Sequence, residues 1–294
     1  MPSLKDLKIR IESVKSTRKI TKAMQMVAAA KLRRAQEAAE QARPYAMRMS
    51  RVLGKLTASI ENISTESPLL VGNGKSEKHL IVVATSERGL CGAFNSSIVR
   101  LAKSHISELL SAGKEIEILT IGKKGREQLK RDYGESMSDH VDLSAIKNLT
   151  YEEASKISDS ILERFSRKEF DIAVIFYNQF ESVISQVPKA QQLIPVESQM
   201  DRDSEQEETN LSYVYEPDEQ EIIEDLLPKA IATQVFTALL ENGASEQGAR
   251  MSAMDNATRN AGEMIDKLTI QFNRSRQAAI TNELIEIISG AEAL

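Results

Sequence analysis

The feature that most constrains this chain is its last stretch, residues 217–294, which has few helix breakers and is rich in Ala, Met, Ile, Leu, Glu and Gln. Most of these residue types favour helices. Small and apolar residues recur there in steps of three and four, the repeat of a coiled coil. The predicted seam is Leu240, Ala244, Gln247, Met251, Met254, Thr258, Ala261, Ile265, Leu268 and Phe272. A helix of about 70 residues would be about 105 Å long, so we expect the rod itself to be the working part.

The N-terminus supplies a second helix with a matching seam. Steps of three and four from Leu4 to Leu56 meet mainly apolar residues, many of them Ala, which lets two helices lie close together. Three seam residues are polar: Arg18, Thr21 and Gln25. Over the same interval the apolar stripe is carried by Ile20, Met24 and Val27. This pattern predicts a local shift of the seam. The alternative is two unrelated amphipathic helices on a globular core.

The ends of the two helices carry capping and breaking signals. Ser3 with Asp6 three residues later resembles a capping box, and the first helix should run to about Thr57. Pro44 lies inside this helix and is expected to kink it. Pro228 lies near the start of the last helix, and it should either bend that helix or mark a short preceding one.

Between the two arms the sequence alternates short apolar runs with amphipathic stretches. The predicted strands are His79–Thr85, Glu115–Ile121 and Phe170–Tyr177, with a short edge strand at Val141–Leu143 and a hairpin of Val183–Val187 and Gln191–Val196 around Pro188. The predicted helices are Ser97–Ser111, Lys123–Asp132 and Thr150–Ser166. This alternation predicts an α/β layer with a mostly parallel sheet.

The predicted fold class is therefore a mixture of α+β and α/β. A long antiparallel coiled coil of N- and C-terminal helices carries an inserted Rossmann-like α/β domain. We place the N-terminal coiled-coil helix at residues 1–57, the inserted domain at 78–198 and the C-terminal coiled-coil helix at 217–294. The Pro- and Gly-containing stretch 66–78 is predicted to be a loop, and the acidic stretch 199–210 a loop or mobile linker.

This topology predicts an unpartnered C-terminal tip. If residue 57 lies beside residue 215, residue 1 lies beside residue 271, and roughly the last twenty residues project about 30 Å beyond the N-terminus. The apolar residues of this tip are Ile280, Leu284, Ile285, Ile287 and Ile288. So much apolar surface on an isolated helix indicates that another protein covers it. The alternative is a helix that folds back on its own body.

Composition narrows the class of protein. Net charge is −5, but residues 1–43 hold eleven Lys or Arg against four acidic residues. Cys91 is the only cysteine, so no intrachain disulfide is possible and a reducing compartment is expected. No apolar run reaches the ~18–20 residues of a membrane span. The basic, amphipathic N-terminus is somewhat like a transit peptide, but Asp6 and Glu12 and the continuing heptads favour mature structure.

Motifs for catalysis are weak. The turn Glu87–Gly92 follows a strand and precedes a helix, but it matches neither dinucleotide-binding nor P-loop spacing. The basic turn Gly122–Arg126 is expected to be a solvated turn. The three histidines have no metal-ligand spacing. We therefore expect no catalytic, cofactor or metal site. The basic first helix lacks aromatic interleaving, which disfavours nucleic-acid binding.

Four stretches nevertheless form a specific pattern. They are ITKAMQMVAAAK at 20–31, ERGLCGAFN at 87–95, ARMSAMDNATRNAGEMIDKLTIQFNRSRQAAI at 249–280 and ELIEIISGAEAL at 283–294. Together, and in this order along the whole chain, they closely resemble the gamma subunits of F-type, proton-transporting ATP synthases. The initiator Met and the lack of a transit peptide resemble a bacterial member. The acidic segment 199–210 departs from the pattern and resembles a variable loop.

The resemblance implies a non-catalytic central rotor shaft. Its tip would enter a ring of three alpha and three beta subunits, and its foot would sit with epsilon on the membrane ring of c subunits. The chain would bind no nucleotide, and it would be a peripheral protein on the cytoplasmic side of the bacterial inner membrane.

The resemblance also assigns contacts with the partners. Arg276 and Gln277 match family positions that hydrogen-bond to a catch loop of beta. Met24, with Lys19 and Lys22, matches positions facing acidic lever segments of beta. An apolar sleeve would cover Ile280, Leu284, Ile287 and Ile288. The alternatives are a non-rotating coiled-coil scaffold and an α/β oxidoreductase that uses the Gly89–Gly92 turn.

Overall fold

The computed structural model describes residues 3–59, 67–146, 148–196 and 219–292. It forms two compact units. The coiled-coil unit contains the residues up to Ala30 and those from Arg250 onward, and the α/β unit contains Lys31–Ala249. The predictions for the acidic stretch 199–210 and for a helix start near Pro217 lie outside the described residues.

The described elements follow the predicted order. They are α1 (Leu4–Ser59), α2 (Pro68–Val71), β1 (Lys78–Ala84), α3 (Phe94–Ser111), β2 (Glu115–Ile121), α4 (Lys123–Tyr133), a 3-10 turn (Gly134–Ser136), β3 (Met137–Val141), α5 (Tyr151–Ser166), β4 (Ile172–Phe180), β5 (Gln186–Ile194) and α6 (Glu219–Glu292). The long helices at the two ends and the α/β layer between them confirm the predicted fold class.

The predicted N-cap of α1 is present. Asp6 N–H donates to Ser3 Oγ at 3.1 Å, and Ser3 N–H donates to Asp6 Oδ2 at 3.2 Å, which satisfies two of the free donors at a helix start. Pro44 lies inside α1 and Pro228 inside α6, so neither proline ends its helix. No separate short helix precedes Pro228 within the described residues.

In the coiled-coil unit, apolar layers set the pairing of α1 and α6. Leu7, Ile11 and Leu268 are buried together, and Val14 and Phe272 pack against them. Leu7 lies with Leu268, whereas Thr21, later on α1, contacts Thr258, earlier on α6. This opposite order confirms the antiparallel arrangement.

The register of this pairing differs from the prediction. Thr258, not Met251, lies opposite Thr21, with the two hydroxyl oxygens 2.8 Å apart. Gln25 Nε2 donates to Asp255 Oδ1 at 2.8 Å one turn further along. Each residue of α1 thus meets a residue of α6 about two helical turns nearer the C-terminus than expected. The register is fixed by the side chains that pack between the helices, not by the positions of the helix ends.

The predicted shift of the seam is wrong. Thr21 stays buried at 9 % exposure, whereas Ile20 is 60 % and Val27 56 % exposed. The hydroxyl pair of Thr21 and Thr258 satisfies both polar groups, so a polar layer replaces the expected shift.

In the α/β unit, β1 to β4 pair in parallel in the order β3-β2-β1-β4-β5, and β5 runs antiparallel to β4. Both faces of the sheet are covered. Leu80, Val82 and Ala84 belong to one core with α5 and α6, while Ile81 and Val83 belong to a second core with α3. A strand covered on both sides reads as a nearly continuous apolar run, which is why β1 was recognisable from the sequence.

Two other strand predictions need correction. The hairpin is formed by β4 and β5, and Pro188 lies inside β5 opposite Asn178 rather than at the turn. Pro188 is tolerated because β5 is an edge strand, where a missing N–H donor costs little. The edge strand β3 lies at Met137–Val141, earlier than predicted, because its half-exposed residues give little apolar signal.

The buried carboxylate of Asp171 binds residues 73–78, at the end of the stretch 66–78 that was predicted to be a loop. The short helix α2 also lies in that stretch. Asp171 is 5 % exposed. Its carboxylate accepts hydrogen bonds from Nδ2 of Asn73 at 2.6 Å and from the backbone N–H groups of Glu77 and Lys78 at 2.8 and 2.9 Å. Burial would raise the pKa of Asp171, but these hydrogen bonds outweigh it and hold the pKa below its ordinary value.

Candidate functional site

The C-terminal end of α6 presents apolar side chains to solvent. Their exposures are 58 % for Ile280, 57 % for Leu284, 54 % for Ile285, 64 % for Ile287 and 49 % for Ile288. Every residue of α6 from Arg276 to Ser289 is exposed. The tip is therefore not folded back within the coiled-coil unit, and its apolar surface is available to another molecule.

The residues matched to beta-subunit contacts also lie on the surface of the coiled-coil unit. Lys19 and Lys22 are exposed and Met24 is half-buried on α1, while Arg276 and Gln277 are exposed on α6. The structure does not bring the two sets together. Arg276 lies about 27 Å beyond the level of the Thr21–Thr258 layer, at ~1.5 Å per residue along α6.

The coiled-coil unit exposes further large apolar residues that the seam prediction did not treat as surface. They are Ile9, Ile20, Met26 and Val27 on α1 and Met264 and Ile270 on α6, each between 46 % and 69 % exposed. Ile20 and Val27 directly precede the buried seam residues Thr21 and Ala28 in the sequence, and this position next to the seam could have indicated that they are exposed.

The turn after β1 is filled by the protein itself. Glu87 Oε2 accepts the Lys123 N–H at 3.2 Å, at the start of α4, and its Oε1 accepts the Leu143 N–H at 2.8 Å. A carboxylate thus already occupies the position where a helix N-terminus would hold an anion. This role of Glu87 could not be predicted from the sequence, because Leu143 is distant along the chain.

Close backbone packing completes this end of the sheet. Gly122 has φ +91°, and a Cβ there would lie 2.2 Å from the Thr85 carbonyl oxygen, so only glycine fits. The N–H of Gly125 donates to Thr85 Oγ1 at 2.7 Å. The basic turn is therefore a tight strand-to-helix connection.

The single thiol is part of the same buried packing. Cys91 is 1 % exposed, and Asn95 Nδ2 donates to its Sγ at 3.2 Å. Asn95 in turn accepts the Ser86 N–H at 3.0 Å. Among the described residues no group of three or more His, Cys, Asp or Glu is placed to hold a metal ion.

None of the helices in the described part of the chain is long and apolar enough to cross a bilayer.

Comparisons with known proteins agree with the geometry of both units. The profile of the family described as ATP synthase matches residues 3–294. The ATP synthase gamma chain of Jannaschia sp. (strain CCS1) is 64 % identical and that of Paracoccus denitrificans 65 % identical, each over all of this chain and all of the relative.

Solved structures show the same fold. A chain of the Tetrahymena thermophila mitochondrial ATP synthase central stalk and c-ring is 27 % identical, with a TM-score of 0.60 over 81 % of this chain and 99 % of that one. A chain of the Euglena gracilis mitochondrial ATP synthase, OSCP/F1/c-ring, gives a TM-score of 0.68 at 22 % identity over 99 % of this chain and 94 % of that one. With a whole-length profile match and full-length relatives above 60 % identity, the chain belongs to the family of ATP synthase gamma chains.

Proposed function

We propose that this chain is the non-catalytic central rotor of a proton-translocating ATP synthase. Its coiled coil turns inside a ring of three alpha and three beta subunits and couples proton flow through the membrane sector to ATP synthesis. The observation that carries the proposal is the apolar tip Ile280–Ile288, which stays exposed at the end of a helix in a gamma chain. A surrounding protein sleeve accounts for such a surface.

The mechanism follows from symmetry. A single asymmetric shaft inside a pseudo-threefold ring makes different contacts with each of three otherwise equal subunits. Each catalytic site is thereby biased to a different conformation, because a contact that differs among states shifts the population of those states. Rotation then carries each site through the whole set of conformations in turn.

Two levels of contact on the coiled coil serve this mechanism. At the upper level Arg276 and Gln277 hydrogen-bond to a loop of beta, and at the lower level Met24, Lys19 and Lys22 face acidic segments of beta. The exposure of Arg276, Gln277, Lys19 and Lys22 supports this assignment, and Met24 is half-buried beside them. Exposed ion pairs contribute only about 0–1 kcal/mol each, and weak contacts of this kind suit a shaft that must turn.

The α/β unit is proposed to be the foot of the rotor, in contact with the epsilon subunit and the c-ring. The Tetrahymena relative belongs to a structure of the central stalk and c-ring, which supports this assignment. The chain is then a peripheral component on the cytoplasmic side of the bacterial inner membrane. The division at residues 1–57, 78–198 and 217–294 stays a prediction about how these functions are distributed.

The two alternatives have less support. A non-rotating scaffold does not require an exposed apolar tip such as Ile280–Ile288. For an oxidoreductase, the Glu87 carboxylate already lies at the α4 N-terminus, where a nucleotide phosphate would be held. Nucleotide-dependent thermal stabilisation of the chain would restore the enzyme alternative, and a flat response would dismiss it.

A reversible crosslink tests the rotor proposal. A cysteine replacing Arg276 is joined by a disulfide to a cysteine in the facing beta loop of the assembled complex. We expect ATP turnover to stop on oxidation and to return on reduction. A second crosslink at Leu284 is the comparison, because the far end of α6 can unwind and permit turning. Full turnover with Arg276 crosslinked would contradict rotation at this level.

A further inference from the structure

The carboxyl end of β4 is bonded to side chains of α6 rather than only to neighbouring strands. Asn178 N–H donates to Asn242 Oδ1 at 3.0 Å, and Ser245 Oγ donates to the Asn178 carbonyl at 3.0 Å. Phe180 N–H donates to Glu241 Oε2 at 3.1 Å. One short stretch of α6 thus satisfies three backbone groups of one strand.

These groups are buried, so their hydrogen bonds are hard to replace with water. Asn178 and Ser245 are fully buried, Asn242 is 5 % and Glu241 6 % exposed. Breaking such a bond leaves a buried donor or acceptor unsatisfied, which costs more than the bond contributes when made.

The network reaches two more elements. The other carboxylate oxygen of Glu241 accepts Nη2 of Arg43 on α1 at 3.1 Å. The Asn178 side chain donates from Nδ2 to the Phe94 carbonyl at 3.1 Å, at the start of α3. One set of side chains therefore joins α1, α3, β4 and α6 within the α/β unit.

The place of this network in the sheet is informative. With the order β3-β2-β1-β4-β5, the chain winds in opposite directions on either side of the β1–β4 boundary. In doubly wound folds the crevice beyond the carboxyl ends of the strands at such a boundary is where a ligand binds. Here α6 lies at that position, and its bonds to β4 use the groups that would line a ligand site.

The fit of α6 against the β4–β5 hairpin is close. A Cβ on Gly248 would lie 3.2 Å from the Phe180 ring, tighter than an ordinary van der Waals contact. Gly243, one turn and a residue earlier, has no atom within 4 Å of such a Cβ. The close approach is therefore specific to the side of α6 that faces the hairpin.

We infer that this crevice is a socket that fixes the rotational angle of α6 against the sheet, so that torque passes between the α/β unit and the rod. The inference rests on the proposed rotor function. The residues whose hydrogen bonds would transmit the torque are Asn178, Glu241, Asn242 and Ser245. Apolar packing is non-directional and permits a helix to turn about its axis, whereas hydrogen bonds of defined angle resist that turn.

The test uses the assembled ATP synthase complex with Asn242→Ala or Ser245→Ala in this chain. Hydrogen exchange is measured on the peptide covering β4, and the angular spread of a probe on a cysteine introduced at the exposed Ser107 is followed on single complexes. Asp225→Asn is the matched control, since it removes a carboxylate from an exposed pair with Lys229 on the same helix.

For Asn242→Ala we expect exchange at Asn178 to accelerate about tenfold, the effect of losing one hydrogen bond of ordinary strength. The angular spread of the probe should broaden while ATP hydrolysis stays at the wild-type rate. The Asp225→Asn control should match the wild type in all three measurements.

The outcomes separate this inference from the rotor proposal. If the wild-type probe does not turn with ATP, the rotor proposal fails. If the wild-type probe turns but neither variant changes the exchange of β4 or the angular spread, the socket is wrong. Should Asn242→Ala fail to assemble, Ser245→Ala alone decides, because it removes a single donor and leaves the helix surface otherwise unchanged.

Discussion

The phenol of Tyr177 provides an alkaline test of the buried network on β4. Tyr177 is 5 % exposed and donates from its hydroxyl to Gln191 Oε1 at 3.0 Å. Burial, and then the negative charge of Glu241, raise the pKa of Tyr177 from the ordinary 10.0 to about 12. The neutral phenol is therefore the form that the folded α/β unit favours.

The sign and size of the effect follow from linkage. The unfolded chain ionises Tyr177 from about pH 10, while the folded chain keeps it neutral until about pH 12. The contribution to stability is complete below pH 10 and is lost as the pH rises from about 10 to about 12. A shift of two pKa units corresponds to about 3 kcal/mol.

The assay compares wild type with Tyr177→Phe by urea unfolding at a series of alkaline pH values. Near-ultraviolet circular dichroism reports on the α/β unit, because the tyrosines are at positions 45, 133, 151, 177, 213 and 215 and the chain has no Trp. Near pH 8 the variant should be less stable by about 1 kcal/mol, for the lost hydrogen bond. Above pH 10 the free energy of unfolding of the wild type should fall towards that of the variant, and by pH 12 the variant should be the more stable of the two.

Two comparisons make the result decisive. Tyr151→Phe removes a 39 % exposed phenol and should leave the alkaline branch of the curve as in the wild type. Glu241→Gln removes the nearby charge and so lowers the pKa of Tyr177 in the folded chain. The alkaline loss of stability should still begin near pH 10, but it should be smaller and end at a lower pH. A difference in stability between wild type and Tyr177→Phe that stays constant from pH 9 to pH 12 would show that folding does not raise the pKa of Tyr177.

Three further predictions concern separate features. Gly243→Ala should raise the free energy of unfolding by about 1 kcal/mol, whereas Gly248→Leu, forced against Phe180, should lower it by about 1–3 kcal/mol in the same urea assay; equal effects would contradict the close fit. Asp171→Asn should destabilise the chain at neutral pH. Its deficit should shrink as the pH falls below about 4, where the carboxylate protonates in the unfolded chain, and further as the pH falls through the lower pKa of the folded chain; a deficit independent of pH would oppose this. Met24→Lys should lower the ratio of protons pumped to ATP hydrolysed, and a wild-type ratio would argue against the lower contact level.

Much of the fold was predictable because its elements carry strong local signals. The strand β1 is a nearly continuous apolar run, since both faces of the sheet are buried there. The seam from Leu240 to Phe272 follows the heptad repeat, and its apolar members are buried or half-buried in the structure. Such patterns depend only on residues a few positions apart.

The errors arose where distant residues decide the structure. The register of α1 and α6 depends on layers such as Leu7 on Leu268 and Thr21 on Thr258, which no local pattern reveals. Pro188 sits inside a strand because that strand lies at an edge, a property of the whole sheet.

The candidate site divides in the same way. The tip from Ile280 to Ile288 was recognisable, because apolar residues on an unpartnered helix end are visible in sequence. The roles of Glu87 and of Asn178 with Asn242 were not, since their partners are 36 to 64 residues away along the chain.

Rotation of this chain is tested most directly on single complexes with their alpha and beta subunits fixed to a surface and a probe attached to the α/β unit of this chain. On addition of ATP we expect rotation in one direction with three pauses per turn, one for each beta subunit. A probe that stays at a fixed angle while the same complexes hydrolyse ATP would contradict it.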